Sequence, residues 1–84
     1  MSTLRVTIRL FAAARDIAGC DALDRELPAG CTVGRLKTDL AAEFPSLSTL
    51  LRHSMIAVGR EYAVDDDALH DGDEIAVIPP VSGG

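Results

Sequence analysis

The last six residues of the chain, Pro79 to Gly84, combine proline, the residue type with the stiffest backbone, with glycine, the least hindered one. Pro79 and Pro80 fix φ and lack the N–H that a sheet ladder needs, so a strand must end there and the chain continues extended. Four residues follow: Val81, Ser82, Gly83 and Gly84. Extended, they reach about 13–14 Å. Such a tail is suited to entering a narrow channel on another protein.

The reactive group that this tail offers is the terminal carboxylate of Gly84. A terminal carboxyl has an ordinary pKa of about 3.5, so it is ionised at neutral pH and a poor electrophile. Acyl chemistry therefore requires prior activation, for instance as an acyl-adenylate. Gly83 and Gly84 hinder attack on that carbonyl least and allow backbone angles closed to other residues. An ordinary frayed terminus is the alternative, but fraying does not explain two prolines directly before the glycines. We therefore predict a functional tail.

The rest of the sequence lacks the standard motifs of an enzyme. No Gly-x-Gly-x-x-Gly, phosphate loop or Gly-x-Ser-x-Gly elbow is present. Cys20 and Cys31 are too far apart for a Cys-x-x-Cys pair, and with two distant histidines they form no metal signature. We expect two inert free thiols, no metal site and no tightly bound cofactor.

The charge of the chain limits its partners. A net charge of −5 argues against nucleic-acid binding, which needs clustered Lys and Arg, and suits a basic partner surface. From Glu61 to Glu74 there are seven acidic residues and no Lys or Arg. This run is interpreted either as solvated loops or as a docking segment for a basic partner.

The hydropathy of the chain indicates its location. No stretch approaches the roughly 20 apolar residues that span a membrane. The first ten residues lack the charged leader and sustained apolar run of a signal peptide. We therefore expect a cytoplasmic protein without membrane partners.

The first half of the chain predicts a strand, a short helix, a second strand and a long helix. Residues 3–10 alternate apolar and polar side chains with the period of a strand. Residues 11–19 favour a short helix that stops at Gly19, and residues 22–28 a weaker strand antiparallel to the first. Thr32 is predicted to cap a helix over 32–44 that ends before Pro45. Its apolar stripe is Val33, Leu36, Leu40 and Phe44.

The second half predicts another short helix and a return to strands. Ser46 is the expected cap of the helix, after which residues 55–64 form one strand or two strands turned at Gly59. "EIAVIP" is apolar enough for a central strand. The whole predicts one α+β domain over residues 1–84, a β-grasp (ubiquitin-like) roll with a mixed sheet of four to five strands, one main helix and one or two short ones. Its first and last strands lie parallel, and residues 79–84 form a flexible tail.

Three stretches resemble the small subunit of molybdopterin synthase, a family of ubiquitin-like sulfur carriers. "FAAARDIAG" (11–19) is similar to that family's Phe-Ala-x-x-Arg segment. "LHDGDEIAVIPPVSGG" (69–84) is similar to its Asp-Gly-Asp-Glu run leading to Pro-Pro-Val-Ser/Thr-Gly-Gly, and "TVGRLKTDLAAEFP" to its central helix. Length and element order agree over essentially the whole chain.

The resemblance implies a reaction cycle with several protein partners. A ubiquitin-activating-type adenylating enzyme uses ATP to activate Gly84, and a sulfur donor protein converts the adenylate to a thiocarboxylate. The large synthase subunit, in an expected heterotetramer, takes in the tail and passes the sulfur to a pterin precursor. The chain thus supplies the acyl group, and its partner supplies the catalytic pocket. The implied site residues are Gly84, the tail residues Gly83, Ser82, Val81, Pro80 and Pro79, and the interface residues Phe11, Arg15 and Ile78.

Two departures keep other acceptors open. The family often has an aromatic residue where this chain has Ile78, and an Asn where it has Gly59. The alternatives are a sulfur carrier for thiamin or cysteine synthesis, a ubiquitin-like protein modifier joined through Gly84, and a plain interaction domain with an incidental tail. The thiamin carrier is usually shorter and does not normally carry Pro-Pro-Val-Ser before its glycines.

Overall fold

The computed structural model describes residues 2–80 and contains five strands and three α-helices within them. In chain order these are β1 (Thr3–Leu10), α1 (Ala12–Ala18), β2 (Ala22–Pro28), α2 (Val33–Glu43), a 3₁₀ turn (Pro45–Leu47), α3 (Ser48–His53), β3 (Met55–Val58), β4 (Glu61–Ala63) and β5 (Glu74–Ile78).

The strands form one mixed sheet in the order β2-β1-β5-β3-β4. β1 and β5 are parallel, with Leu10 opposite Val77, and the other neighbours are antiparallel. The predicted central position of the last strand and its parallel pairing with the first are therefore confirmed. The region of residues 55–64 resolves into two strands, turned at Gly59, which has φ +65°.

An aliphatic core lies between one face of the sheet and the helices. Alternate residues of β1 are buried, because successive side chains of a strand point to opposite faces. The helical stripe predicted for α2 packs against them through Val33, Leu36 and Leu40, while Phe44 is half-buried at its end. The predicted α+β architecture is confirmed.

Local signals place the ends of the helices. The Thr32 hydroxyl accepts a hydrogen bond from the Arg35 N–H at 3.3 Å, as predicted for the cap of α2. Gly19 adopts φ +79° after α1 and ends it. The predicted cap at Ser46 is wrong: Ser46 lies inside the 3₁₀ turn begun by Pro45, and α3 follows without a side-chain cap. No helix within residues 2–80 is long and apolar enough to cross a membrane.

Candidate functional site

The site is built around the end of β5, where the tail begins. β5 lies between β1 and β3, so the chain leaves from the middle of the sheet. Ile78 is half-buried, Pro79 is buried and Pro80 is exposed. The chain is therefore packed against the body as far as Pro79. The remaining predicted tail residues lie outside the described part: Val81, Ser82, Gly83 and Gly84.

A row of apolar side chains crosses the uncovered face of the sheet beside this exit. Leu10 and Val77 are paired and buried in the core. Phe11 continues in an extended conformation, so it follows on the opposite, uncovered face, next to Ile78. Met55 is the partner of Ile78 on β3. Phe11 is 47% exposed and Met55 51% exposed, although large apolar side chains favour burial.

A second row on the same face contains two alanines and a tyrosine. Ala76 of β5 pairs with Ala57 of β3, which pairs with Tyr62 of β4. Tyr62 is 71% exposed. Because the alanine side chains are small, the surface is lower between the Tyr62 ring and the first row. We call the two rows together the tail-side patch; its members are Phe11, Met55, Ala57, Tyr62, Ala76 and Ile78.

Charged and polar pairs cover the other half of this face. Arg9 Nε lies 3.3 Å from the Glu74 carboxylate, linking β1 to β5. On β1 and β2, the Thr7 hydroxyl donates to Asp24 at 3.0 Å, and Arg5 and Glu26 form a looser pair at 3.9 Å. Within these pairs each charged or polar group has its partner on a neighbouring strand, and together they form the border of the patch. The uncovered face is thus apolar at the tail exit and polar away from it.

The predicted interface residues fall in two places. Phe11 and Ile78 lie together in the tail-side patch. Arg15 lies on α1, where it lines a shallow depression with Gly19 and Cys20. Met55 and Tyr62 were missed from the sequence, because only the strand order places Met55 beside Ile78 and Tyr62 in the neighbouring row. The available signal was that both side chains alternate with core-facing residues of short strands.

The acidic run from Glu61 to Glu74 is largely used within the chain. Asp71 accepts the Arg5 backbone N–H at 2.8 Å, and Asp73 accepts the His70 N–H at 2.8 Å. The other engaged carboxylates are Asp65 with Lys37, Asp67 with the Val64 N–H, and Glu74 with Arg9. Five of the seven acidic side chains thus stabilise turns or bind groups elsewhere in the chain, which leaves little of this run for a basic partner.

The cysteines occupy different environments. Cys31 is 5% exposed in the core, and burial, with the negative charge of Asp39 as a smaller cause, raises the pKa of its thiol. Cys20 is half-buried, and both thiols are free. Within residues 2–80, no group of His, Cys, Asp and Glu is arranged to hold a metal ion.

A mixed five-stranded sheet with its helices on one face defines the chain as a ubiquitin-like β-grasp protein, and comparison with known structures supports this class. The crystal structure of SAMP1 (small archaeal modifier protein 1) from Haloferax volcanii is similar, with a TM-score of 0.84 and 30% identity over 95% of this chain and 99% of that one. One chain of the complex of subunits 1 and 2 of the molybdopterin-converting factor from Helicobacter pylori is also similar. Its TM-score is 0.65 and its identity 26%, over 96% of this chain and 100% of that one.

The sequence comparison is more specific. The ThiS family profile matches residues 8–84. The molybdopterin synthase sulfur carrier subunit of Arabidopsis thaliana is 35% identical over 83 residues, covering 99% of this chain and 86% of the relative. The chain belongs to the ThiS family, and its resemblance to molybdopterin synthase small subunits is confirmed.

Proposed function

We propose that this chain is the sulfur carrier of a molybdopterin synthase, with the carboxyl group of Gly84 as the atom group that carries sulfur. The observation that carries the proposal is the diglycine terminus on a ThiS-family chain whose central strand ends beside an uncovered apolar patch. The similarity to carrier subunits of molybdopterin synthase supports this acceptor over thiamin or cysteine synthesis.

The chemistry proceeds in two exchanges at one carbonyl carbon. The Gly84 carboxylate attacks the α-phosphorus of ATP in an adenylating enzyme, forming an acyl-adenylate and releasing pyrophosphate. Sulfide-level sulfur from a donor protein then displaces AMP from the carbonyl carbon, leaving a thiocarboxylate. On the large subunit that sulfur bonds to the pterin precursor, and water cleaves the resulting acyl–sulfur bond, so the sulfur stays on the precursor and the carrier returns with a carboxylate. ATP is consumed by the enzyme, and the carrier needs no bound cofactor of its own.

The described residues contribute recognition to this cycle. The tail-side patch lies at the tail exit, so a partner covering Phe11, Ile78 and Tyr62 receives the tail in the same encounter. Aromatic and large apolar side chains at the centre of an interface supply most of its binding free energy. We expect the large subunit to cover this patch, and the cycle to run in the cytoplasm, where free thiols persist.

A second candidate function is attachment to other proteins. The similarity to a small archaeal modifier protein favours it, and the same adenylate could be attacked by a lysine amine. In that case Gly84 becomes part of an isopeptide bond, and covalent adducts of the chain accumulate in cell extracts.

The test is the intact mass of the purified chain after incubation with ATP, an adenylating enzyme of the same cell and a sulfide source. We expect the mass gain of one oxygen exchanged for sulfur, confined to the C-terminal peptide. The product, mixed with the large subunit and the pterin precursor, should then convert the precursor and return to its original mass.

Two variants control this experiment, one lacking Gly84 and one with a single alanine added after it. Both should keep the far-UV circular dichroism of the native chain, because residues 79–84 lie beyond β5, and both should fail to gain sulfur. Product formation with either variant would overturn the proposal. Transfer to a thiamin or cysteine acceptor, with none to the pterin precursor, would reassign the pathway.

A further inference from the structure

The first residue of α1, Ala12, has an unfavourable backbone conformation. Its φ is +50°, and within residues 2–80 it is the one residue other than glycine with a positive φ. The left-handed region is disfavoured for an L-residue, because Cβ approaches the following carbonyl oxygen. Such conformations persist only where the surrounding structure enforces them, and they cluster at functional positions.

The surrounding hydrogen bonds and packing hold Ala12 in this conformation. On one side, Leu10 is paired with Val77 of β5, and its N–H donates to the Asp21 carbonyl at 2.9 Å. On the other, the Phe11 carbonyl accepts from the N–H groups of Ala14 at 3.1 Å and Arg15 at 3.4 Å, and Ala14 is fully buried. The chain therefore passes from a central strand to a packed helix through a single residue.

This abrupt turn determines where Phe11 lies. A strand continued by one more residue would return its next side chain to the core face. The left-handed residue instead turns the backbone into α1, which contacts β5 and the 3₁₀ turn. Phe11 is left as the last residue of the uncovered face, extended at φ −119° and ψ 154°, next to Ile78 in the tail-side patch.

We infer that Ala12 is a positioning residue that holds the Phe11 ring at the tail exit for docking of the partner. The inference rests on the proposed function. The left-handed region open to alanine is small, whereas glycine also populates wide regions around it. Alanine at this position therefore confines the backbone that follows Phe11 more narrowly than glycine does, with some local strain. Because Ala12 is itself exposed, its methyl group acts through the backbone rather than through packing.

The test is a double-mutant cycle with the large subunit, measured by titration calorimetry. Ala12→Gly should weaken binding by about threefold to tenfold, as expected for coupled neighbours, without lowering the thermal midpoint, because strain is relieved. In a Phe11→Ala background the same change should alter affinity by less than about twofold. The matched control is Ala13→Gly, the same chemical change one residue further along α1, which should lower the midpoint and leave affinity intact.

A chemically ligated chain with D-alanine at position 12 separates the effect of backbone strain at this residue from the effect of its restricted backbone freedom. A D-residue prefers positive φ and is still less mobile than glycine, so this chain should melt higher than the natural one and bind at least as tightly. In the free chain, nuclear Overhauser contacts between the Phe11 ring and the Ile78 methyl groups should be strong with either alanine and weakened by glycine.

The outcomes separate the two proposals. Equal losses from Ala12→Gly with and without the Phe11 ring, or unchanged ring contacts in the glycine variant, would overturn the positioning role. A natural chain that gains sulfur but does not bind the large subunit would overturn the proposed docking, while the ring contacts still decide the role of Ala12.

Discussion

At the scale of single residues, exposure and burial separate the side chains proposed for docking from those that stabilise the fold. Tyr62 and Val64 are similarly exposed, at 71% and 66%, but only Tyr62 belongs to the tail-side patch. An exposed side chain contributes little to folding, so the two can be compared in binding without loss of structure.

Tyr62→Ala should weaken binding of the large subunit by about tenfold or more, because tyrosine is among the residue types whose truncation costs most at an interface. Val64→Ala, the matched control, should stay within about twofold. Both variants should keep the native thermal midpoint. The measurement is the affinity by calorimetry, and equal losses in the two variants would show that the patch is not the docking surface.

Cys31 should make the folded chain sensitive to alkaline pH. Burial raises the pKa of its thiol, so the unfolded chain loses this proton at a lower pH than the folded chain. Its contribution to stability is complete below 9.0, the ordinary value of this pKa, and is lost as pH rises through the folded one.

The free energy of unfolding, measured with urea under reducing conditions, should therefore fall more steeply above about pH 9 in the natural chain than in Cys31→Ala. Iodoacetamide should alkylate Cys20 well before Cys31, because the thiolate of a buried thiol is disfavoured. Identical pH slopes in the two chains would contradict this account.

At the scale of elements, the segment before β5 supports the start of β1. The Asp71 carboxylate accepts the Arg5 N–H at 2.8 Å, the Gly72 N–H donates to the Arg5 carbonyl at 2.7 Å, and the Thr7 N–H donates to the Asp73 carbonyl at 3.0 Å. These bonds extend the parallel pairing of β1 and β5 beyond the residues of β5 itself.

Asp71→Ala should lower the free energy of unfolding by about 1 kcal/mol, the typical net value of one hydrogen bond. Asp66→Ala is its control, since Asp66 makes no ion pair or side-chain hydrogen bond in the described chain; it should stay within about 0.5 kcal/mol. Chemical denaturation measures both. A loss as large at Asp66 would indicate that charge density, rather than this hydrogen bond, decides stability.

The elements also show how far the sequence predicts the molecule. Periodicity located β1, β2 and α2, a continuous apolar run located β5, and residues 55–64 were predicted as one strand or two, because these patterns are set by neighbours along the chain. The cap at Ser46 failed, since Pro45 starts a 3₁₀ turn that runs directly into α3. The pairing of Arg5 with Asp71, and the row of Phe11, Ile78 and Met55, depend on strand order, which no local pattern reports. The tail chemistry stays a prediction, and it rests on adjacent residues alone.

At the scale of the whole molecule, the chain offers few amines to its own activated terminus. Lys37 is the only lysine in the sequence. Its amine lies 2.8 Å from the Asp65 carboxylate, and its side chain is 24% exposed. Polymers of this chain, if it served as a modifier, would have one internal lysine as an anchor, and that lysine is engaged in the folded state.

Lys37→Arg should leave thiocarboxylate formation and sulfur transfer unchanged, because arginine keeps the pair with Asp65 and the lysine has no part in the cycle. On a denaturing gel of the ATP-dependent reaction, the natural chain and Lys37→Arg should show the same pattern of high-mass bands. Disappearance of a ladder in Lys37→Arg would favour the modifier function over the carrier function.

The parallel pairing of β1 with β5 also has a mechanical consequence. The two strands lie side by side in the middle of the sheet, and the direction from the start of β1 to the end of β5 runs along them. Tension on the tail, held by a partner, is therefore directed along the strands and loads their hydrogen bonds in shear, all together, rather than peeling them one at a time. In the proposed cycle, the body can thus resist this tension while the tail enters and leaves the partner.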